Sequence, residues 1–126
     1  MNHSGFHDRI QELSQLSHGW YNGEGLAPDH LALEKLDRTF AERYDRRLPE
    51  PLLYPTQEGN VLLEWFFEHY SISLDIDLSD FTGFFHVLRT DTGEEEEYDL
   101  QLDPDLNLPL DGWQTVNDTI RKVGAG

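Results

Sequence analysis

The 126-residue sequence contains no cysteine. This absence excludes disulfide bonds, thiolate zinc sites and cysteine nucleophiles. It also favours a cytoplasmic location. The N-terminal segment MNHSGFHDRI has neither a basic nor an apolar stretch, so no signal peptide is expected. No uncharged apolar run approaches the roughly 20 residues that a membrane-spanning helix needs, and no membrane contact is expected.

Basic residues are scarce, with 9 Lys and Arg against 25 Asp and Glu, which gives a formal net charge of −16. Residues 1–51 carry 9 acids and 6 bases, whereas residues 52–126 carry 16 acids and 3 bases. Nucleic acid and anionic membranes are contacted through clustered Lys and Arg, so direct binding to either is not expected. The electrostatic complement of such a chain is a basic protein. High net charge also keeps small proteins soluble, and the sequence leaves that simpler explanation open.

Recognisable catalytic and metal-binding motifs are also lacking. The six histidines form no HExxH or comparable set, and no serine lies in a GxSxG motif. Asp75 and Asp77 belong to an extended strand pattern and not to a DxDxDG calcium loop. His86 shares a side with Phe84 and Leu88 and is expected to be a partly buried core histidine. We therefore predict no catalytic residue, no metal and no cofactor.

The clearest structural pattern lies in residues 61–78. Apolar and polar residues alternate over residues 61–67 and again over 72–78, which is typical of strands with one face in a core. Residues 68–70 between them are short enough for a tight hairpin. Further strands are predicted at residues 52–54, 84–89 and 94–102, and Pro55 favours an edge position for the first of these.

Two helices are predicted before the strands. Residues 4–18 carry one apolar stripe, with Ser4 as the N-cap and Gly19 as the residue that ends the helix. The second helix has Pro28 in its first turn, carries a stripe of leucines and aromatic residues, and ends near Leu48 because two prolines follow.

A third, short helix is predicted near the C-terminus. Asp111 and Gln114 have the spacing of a capping box, and Gly124 ends the helix. The loops between strands are short, so consecutive strands are expected to be antiparallel neighbours. The predicted fold is therefore a single α+β domain over residues 1–126. Two N-terminal helices pack on one face of an antiparallel meander sheet of about five strands, and the short helix follows.

The strand alternation collects acidic residues on the face away from the helices. Alternate residues on a strand are roughly 6.6 Å apart. This distance is comparable to the spacing of successive phosphates along a nucleic-acid strand, so the face has the geometry for phosphate mimicry. The candidate binding residues of this face are Asp75, Asp77, Glu95, Glu97 and Asp99.

The loop at residues 19–28, GWYNGEGLAP, supplies the other candidate binding residues. Trp20 and Tyr21 are large amphipathic side chains beside flexible glycines, and such side chains make good interface anchors. Glu24 is a candidate general acid or base. For Trp20 we favour a structural role, in which it fills the gap between the first helix and the sheet. Tyr21 and Glu24 are expected to be exposed.

Three segments of the sequence, GWYNGEGLAP, YPTQEGNVLLEW and ISLDIDL with the later TGEEEE, resemble a family of small uncharacterised bacterial and phage proteins. They occur in the expected order along the chain. The resemblance implies a bacterial or phage origin. No activity is established for that family, so no site residue is transferred to this chain.

These observations support three functional hypotheses. The first is a non-enzymatic acidic binding module, antitoxin-like or inhibitory, which mimics nucleic acid and occludes a basic partner protein. The second is a small enzyme or ligand-binding domain with its site at residues 19–28, using Glu24 and His86. The third is a structural or assembly subunit that self-associates through the edge strand or the C-terminal helix. A monomer or a homodimer is expected.

Overall fold

A computed structural model describes residues 5–106 and 111–125 of the chain. The elements are α1 Gly5–Leu13, α2 His30–Arg43, β1 Leu52–Pro55, β2 Val61–Phe67, β3 Tyr70–Asp77, β4 Thr82–Arg89, β5 Glu95–Gln101 and α3 Gly112–Ala125. The strands form one antiparallel sheet in the order β1-β2-β3-β4-β5, so each strand pairs with its neighbour in sequence. The predicted α+β fold with a meander sheet is confirmed. Within the described ranges, no helix is long and apolar enough to span a bilayer.

All three helices pack on one face of the sheet, which we call the inner face. Phe40 of α2 stacks on Phe6 of α1 and meets Trp113 of α3 edge to face, with ring centroids 6.0 Å apart in the second pair. Such aromatic pairs add about 0.5–1.5 kcal/mol beyond the burial of their apolar area. The buried strand residues beneath the helices are Leu53, Val61, Leu63, Trp65, Ile72, Leu74, Ile76, Phe85 and Val87.

α1 has the predicted buried stripe, but it ends at Leu13 instead of His18. After Leu13 the chain forms a 3₁₀-type turn, in which the Leu16 N–H donates to the Leu13 carbonyl at 3.2 Å. The Ser14 hydroxyl donates to a carbonyl of the last turn of α1 at 2.7 Å. Such a side-chain bond competes with the backbone hydrogen bonds that would continue the helix. Gly19 therefore lies in the following loop. The predicted N-cap Ser4 lies outside the described residues.

α2 is shorter than predicted at both ends. Its N-cap is Asp29, whose carboxylate accepts a backbone N–H of the first turn, so Pro28 precedes the helix. It ends at Arg43, well before the prolines that follow. Asn117 of α3 donates to the Arg43 carbonyl at 2.8 Å and accepts the Asp45 N–H at 3.0 Å. A distant side chain thus stabilises the end of α2, which the local sequence does not reveal.

β4 begins earlier than predicted, and Gly83 lies inside the strand instead of the preceding turn. A Cβ on Gly83 would come within 2.7 Å of Leu102 and 2.8 Å of Leu74, both fully buried side chains. Glycine is therefore required here for close packing. The turn itself covers residues 78–81, where Phe81 has a φ of 56°.

The register of β4 against β3 corrects the prediction for His86. Phe85 pairs with Leu74 of the inner face, so Phe84, His86 and Leu88 point away from the helices. His86 does share a side with Phe84 and Leu88, as predicted, but that side is not the core. Because apolar residues occur on both faces of β4, alternation alone does not decide which face is buried.

α3 matches its predicted position, with two differences at its ends. The Asp111 carboxylate accepts the Trp113 N–H at 3.1 Å, as a cap should. The side chain of Gln114 donates to Asp118 at 3.1 Å, so the reciprocal half of the predicted capping box is not formed. Gly124 does not end the helix, which continues to residue 125.

Candidate functional site

No described part of the chain covers the sheet face opposite the helices, here called the outer face. None of its side chains is buried in the part of the chain that the structure describes. Antiparallel sheets often leave one face in water, but such a face is usually polar. The outer-face residues are Leu52, Tyr54, Leu62, Glu64, Phe66, Ser71, Ser73, Asp75, Asp77, Thr82, Phe84, His86, Leu88, Glu95, Glu97, Asp99 and Gln101.

The strand register brings the predicted acids of the sheet onto this face in neighbouring rows. Asp75, Phe84 and Asp99 lie side by side on β3, β4 and β5, and Glu97 lies beside His86 in the next row. The alternation in the sequence therefore predicted the placement of these acids correctly.

An open depression of about 660 Å³ lies at one end of the outer face. Its lining includes Asp75, Asp77 and Asp99, together with Glu58 from the turn between β1 and β2 and the ring of Phe84. The sequence did not identify Glu58, because a turn residue is not part of a strand alternation that would show which face of the sheet its side chain reaches. Four carboxylates around one depression repel one another and favour the approach of a cationic group.

Asp75 is the acid on which this repulsion acts most clearly. Partial burial, followed by the charges of Glu58 and Asp77, raises the pKa of Asp75. The Asp75 carboxylate forms no hydrogen bond with another described residue. By contrast, the Asp77 carboxylate accepts the Ser79 hydroxyl at 2.6 Å and the Ser79 N–H at 2.9 Å, which lowers the pKa of Asp77. A cationic group that enters the depression would therefore first reduce the charge repulsion that acts on Asp75.

Glu95 differs from the other outer-face acids because it already has a partner. Its Oε1 lies 2.7 Å from Nε2 of His86 across the β4–β5 pair. Glu97 and Asp99 are exposed and carry no such contact within the described ranges. Of the predicted residues on β5, Glu97 and Asp99 are therefore better placed than Glu95 to meet a partner.

No group of three or more His, Asp or Glu able to hold a metal occurs in residues 5–106 and 111–125.

Apolar side chains share the outer face with the acids. Phe66 is 60% exposed and Phe84 is 44% exposed, and Leu52 and Tyr54 are exposed on the edge strand. Exposed aromatic side chains gathered on one face are typical of interaction surfaces. The sequence reasoning missed them because it followed the acids, although the alternation in β2 already placed Phe66 opposite the buried Trp65.

The loop at residues 19–28 is built on a tight hairpin. Tyr21 and Glu24 exchange two backbone hydrogen bonds of 2.8 Å. Asn22 and Gly23 between them have φ angles of 51° and 89°, the pattern of a type I′ turn that Asn-Gly favours. Tyr21 and Glu24 are exposed, as predicted.

Trp20 packs on its own loop and does not fill the predicted gap between α1 and the sheet. Its indole N–H donates to the Leu26 carbonyl at 2.8 Å, and its ring lies against Gly25. The Leu26 N–H donates to the Gln57 carbonyl at 2.8 Å, and Leu26 forms a bridge with Glu58. The loop is thus attached to the turn that lines the acidic depression. Its three predicted residues, Trp20 among them, do not line that depression.

The exposed edge of β1, which the third hypothesis used for self-association, is partly occupied. Nε of Arg9 in α1 donates to the Leu53 carbonyl at 2.8 Å. Pro51 precedes the strand and Pro55 ends it, and neither carries an N–H that could donate to an added strand. These features oppose continuous strand pairing along β1.

Comparison of the chain with protein-family models, with curated proteins and with solved structures gives no match. The family resemblance drawn from the three sequence segments therefore stays a prediction.

Proposed function

We propose that the protein is a non-enzymatic acidic binding module that engages a basic protein partner through the outer face. The observation that carries the proposal is the composition of the outer face, where Asp75, Glu97 and Asp99 share one sheet surface with the exposed rings of Phe66 and Phe84. Charged groups steer and orient a complementary partner, whereas desolvated aromatic contacts provide much of the affinity. An acidic surface that served only solubility would not need exposed phenylalanines.

The row formed by Asp75, Phe84 and Asp99 suits a partner arginine. A guanidinium group pairs with carboxylates through a planar set of donors and also stacks on aromatic faces. Here two carboxylates flank one aromatic ring on adjacent strands. With ~3.3 Å per residue and ~4.8 Å between strands, the outer face measures roughly 20 Å by 25 Å. This area accommodates a helix or a basic loop of a partner.

The mechanism follows from competition for the same basic surface. If the partner uses that surface to bind nucleic acid, docking of the outer face occludes it, and the protein acts as an antitoxin-like inhibitor. The alternate carboxylates along β3 and β5 then occupy the positions of phosphates. Tyr21 on the neighbouring hairpin is available as an additional aromatic anchor, since it is 49% exposed.

The test compares two variants of equal charge. The face variant carries Asp75→Asn, Glu97→Gln and Asp99→Asn. The control variant carries Asp8→Asn, Glu34→Gln and Glu42→Gln, which neutralise three exposed acids on α1 and α2.

For a partner captured from host extract, we expect the Kd to rise at least about tenfold with the face variant. The dependence of log Kd on log salt concentration should also become shallower. The control variant should bind like the wild type. Equal Kd values and equal salt dependence for all three proteins would refute the proposed surface.

A further inference from the structure

A second cavity of about 410 Å³ lies on the helical side of the molecule, away from the outer face. Its lining includes Arg38, Phe40 and Tyr44 from α2 and its C-cap, Arg46 beyond the helix, and His7 from α1. This volume falls within the range of small-molecule sites, roughly 300–1,000 Å³. None of the residues proposed for partner binding lines it, so its role is independent of the proposed function.

The two arginines of this cavity differ from most basic residues of the chain. The side chains of Arg38 and Arg46 form no ion pair or hydrogen bond with any described residue, although the chain has 25 acids. Their guanidinium donors are thus available to a ligand. The basic residues that do form ion pairs with Asp or Glu are Arg9, Lys35, Arg43, Arg47, Arg89 and Arg121.

The carboxylates at the cavity have other partners and do not pair with these arginines. Oδ2 of Asp37 lies 2.6 Å from Nδ1 of His7. Oε1 of Glu50 accepts the Phe6 N–H at 3.0 Å and so satisfies the start of α1. The free donors of the cavity are therefore those of Arg38 and Arg46, which suit an anion.

The remaining wall of the cavity is apolar. The rings of Phe40 and Tyr44 are stacked with centroids 4.6 Å apart, and both residues are buried. The Tyr44 hydroxyl donates to the Pro49 carbonyl and accepts the Trp65 indole N–H at 3.0 Å. Its polar atom is therefore used inside the protein, and Tyr44 contributes carbon surface to the cavity.

We propose that this cavity binds a small organic anion, in which a carboxylate or a phosphate monoester is attached to an apolar ring. Arg38 and Arg46 pair with the anion, because guanidinium groups match carboxylate and phosphate geometry. Phe40, Ala41 and Tyr44 contact the ring. Neither a cation nor a neutral apolar molecule would use these two arginines, whose side chains have no partner among the described residues.

The test is an NMR titration of the ¹⁵N-labelled protein with phenyl phosphate, benzoate, inorganic phosphate and benzyl alcohol. We expect saturable shifts around the cavity with phenyl phosphate or benzoate, and the stronger of the two identifies the anionic group. In the double variant Arg38→Gln/Arg46→Gln, the Kd should rise at least about tenfold. The double variant Arg47→Gln/Lys122→Gln removes the same charge elsewhere and should bind like the wild type. The amide spectra of both variants report whether they are folded.

Three results would overturn the proposal. The first is the absence of saturable shifts with either organic anion up to about 10 mM, a limit that includes weak ligands. The second is an unchanged Kd in the Arg38→Gln/Arg46→Gln variant. The third is equally tight binding of benzyl alcohol or of inorganic phosphate. Equally tight binding of benzyl alcohol would mean that the arginines have no role, and equally tight binding of inorganic phosphate would mean that the apolar wall has none.

Discussion

Neutralising Asp75 is expected to stabilise the fold while weakening partner binding. The carboxylate forms no hydrogen bond with a described residue and lies beside Asp77 and Glu58. Burial and these like charges raise its pKa, so the folded state holds a proton on Asp75 more tightly than the unfolded state does. Asp75→Asn removes the charge and keeps the size of the side chain.

The size of the gain follows from strand geometry. Asp75 and Asp77 are alternate residues on β3, which places them roughly 6.6 Å apart. Two unit charges at that distance in water repel by about 0.6 kcal/mol, and ~0.1 M salt removes roughly half of this. With the added effects of Glu58 and partial burial, we expect a gain of about 0.5–1 kcal/mol in the free energy of unfolding. That gain corresponds to a rise of about 2–4 °C in Tm.

Thermal unfolding followed by circular dichroism measures this gain. It should be present at neutral pH and should vanish as the pH falls below about 3.9, where the wild-type carboxyl is protonated in both states. The matched control is Asp91→Asn, which removes a carboxylate whose pKa is lowered by Arg89. That change should leave Tm unchanged or lower it. A lower Tm for Asp75→Asn than for the wild type at pH 7 and low salt would refute the reasoning.

Three further changes test the fold. Asn117→Leu removes both hydrogen bonds to the end of α2 and should cost about 2 kcal/mol in urea denaturation, whereas an unchanged midpoint would contradict the cap. Gly83→Ala should cost about 1–3 kcal/mol by overpacking against Leu102, and wild-type stability would contradict the close packing. Burial raises the pKa of Tyr44 to about 12, so stability that is present below about pH 10 should be lost as the pH rises towards 12. Tyr44→Phe should weaken this loss, which ultraviolet absorbance and circular dichroism follow together, and an identical alkaline transition would contradict it.

The order and type of the elements could be predicted because the local sequence determines them. The alternation in β2 and β3 specified the buried face, and the alternation in β3 and β5 specified the acids of the outer face. β4 was different, since Phe84 and Phe85 are equally apolar and only the register with β3 selects which is buried. The end of α2 was missed for a similar reason, because the cap at Arg43 comes from Asn117 in another helix.

The sites were less predictable than the fold. The acids of the outer face follow from strand parity, but the depression also needs Glu58 from a turn. The proposed anion site beside α2 depends on which arginines form no ion pair with a described residue, and tertiary contacts decide which arginines are paired. Arg43 finds Asp111 across the fold, whereas Arg38 on the same helix finds no acid among the described residues.

Affinity capture from extract of the protein's own host tests the central claim most directly. The wild type, the face variant and the control variant serve as baits at ~0.05 M and ~0.5 M salt, and mass spectrometry identifies the bound proteins. We predict that a basic protein is retained at low salt by the wild type and the control variant, is absent from the face variant, and is released at high salt. Retention of the same protein by the face variant, or of no basic protein by the wild type, would contradict a partner-binding role for the outer face.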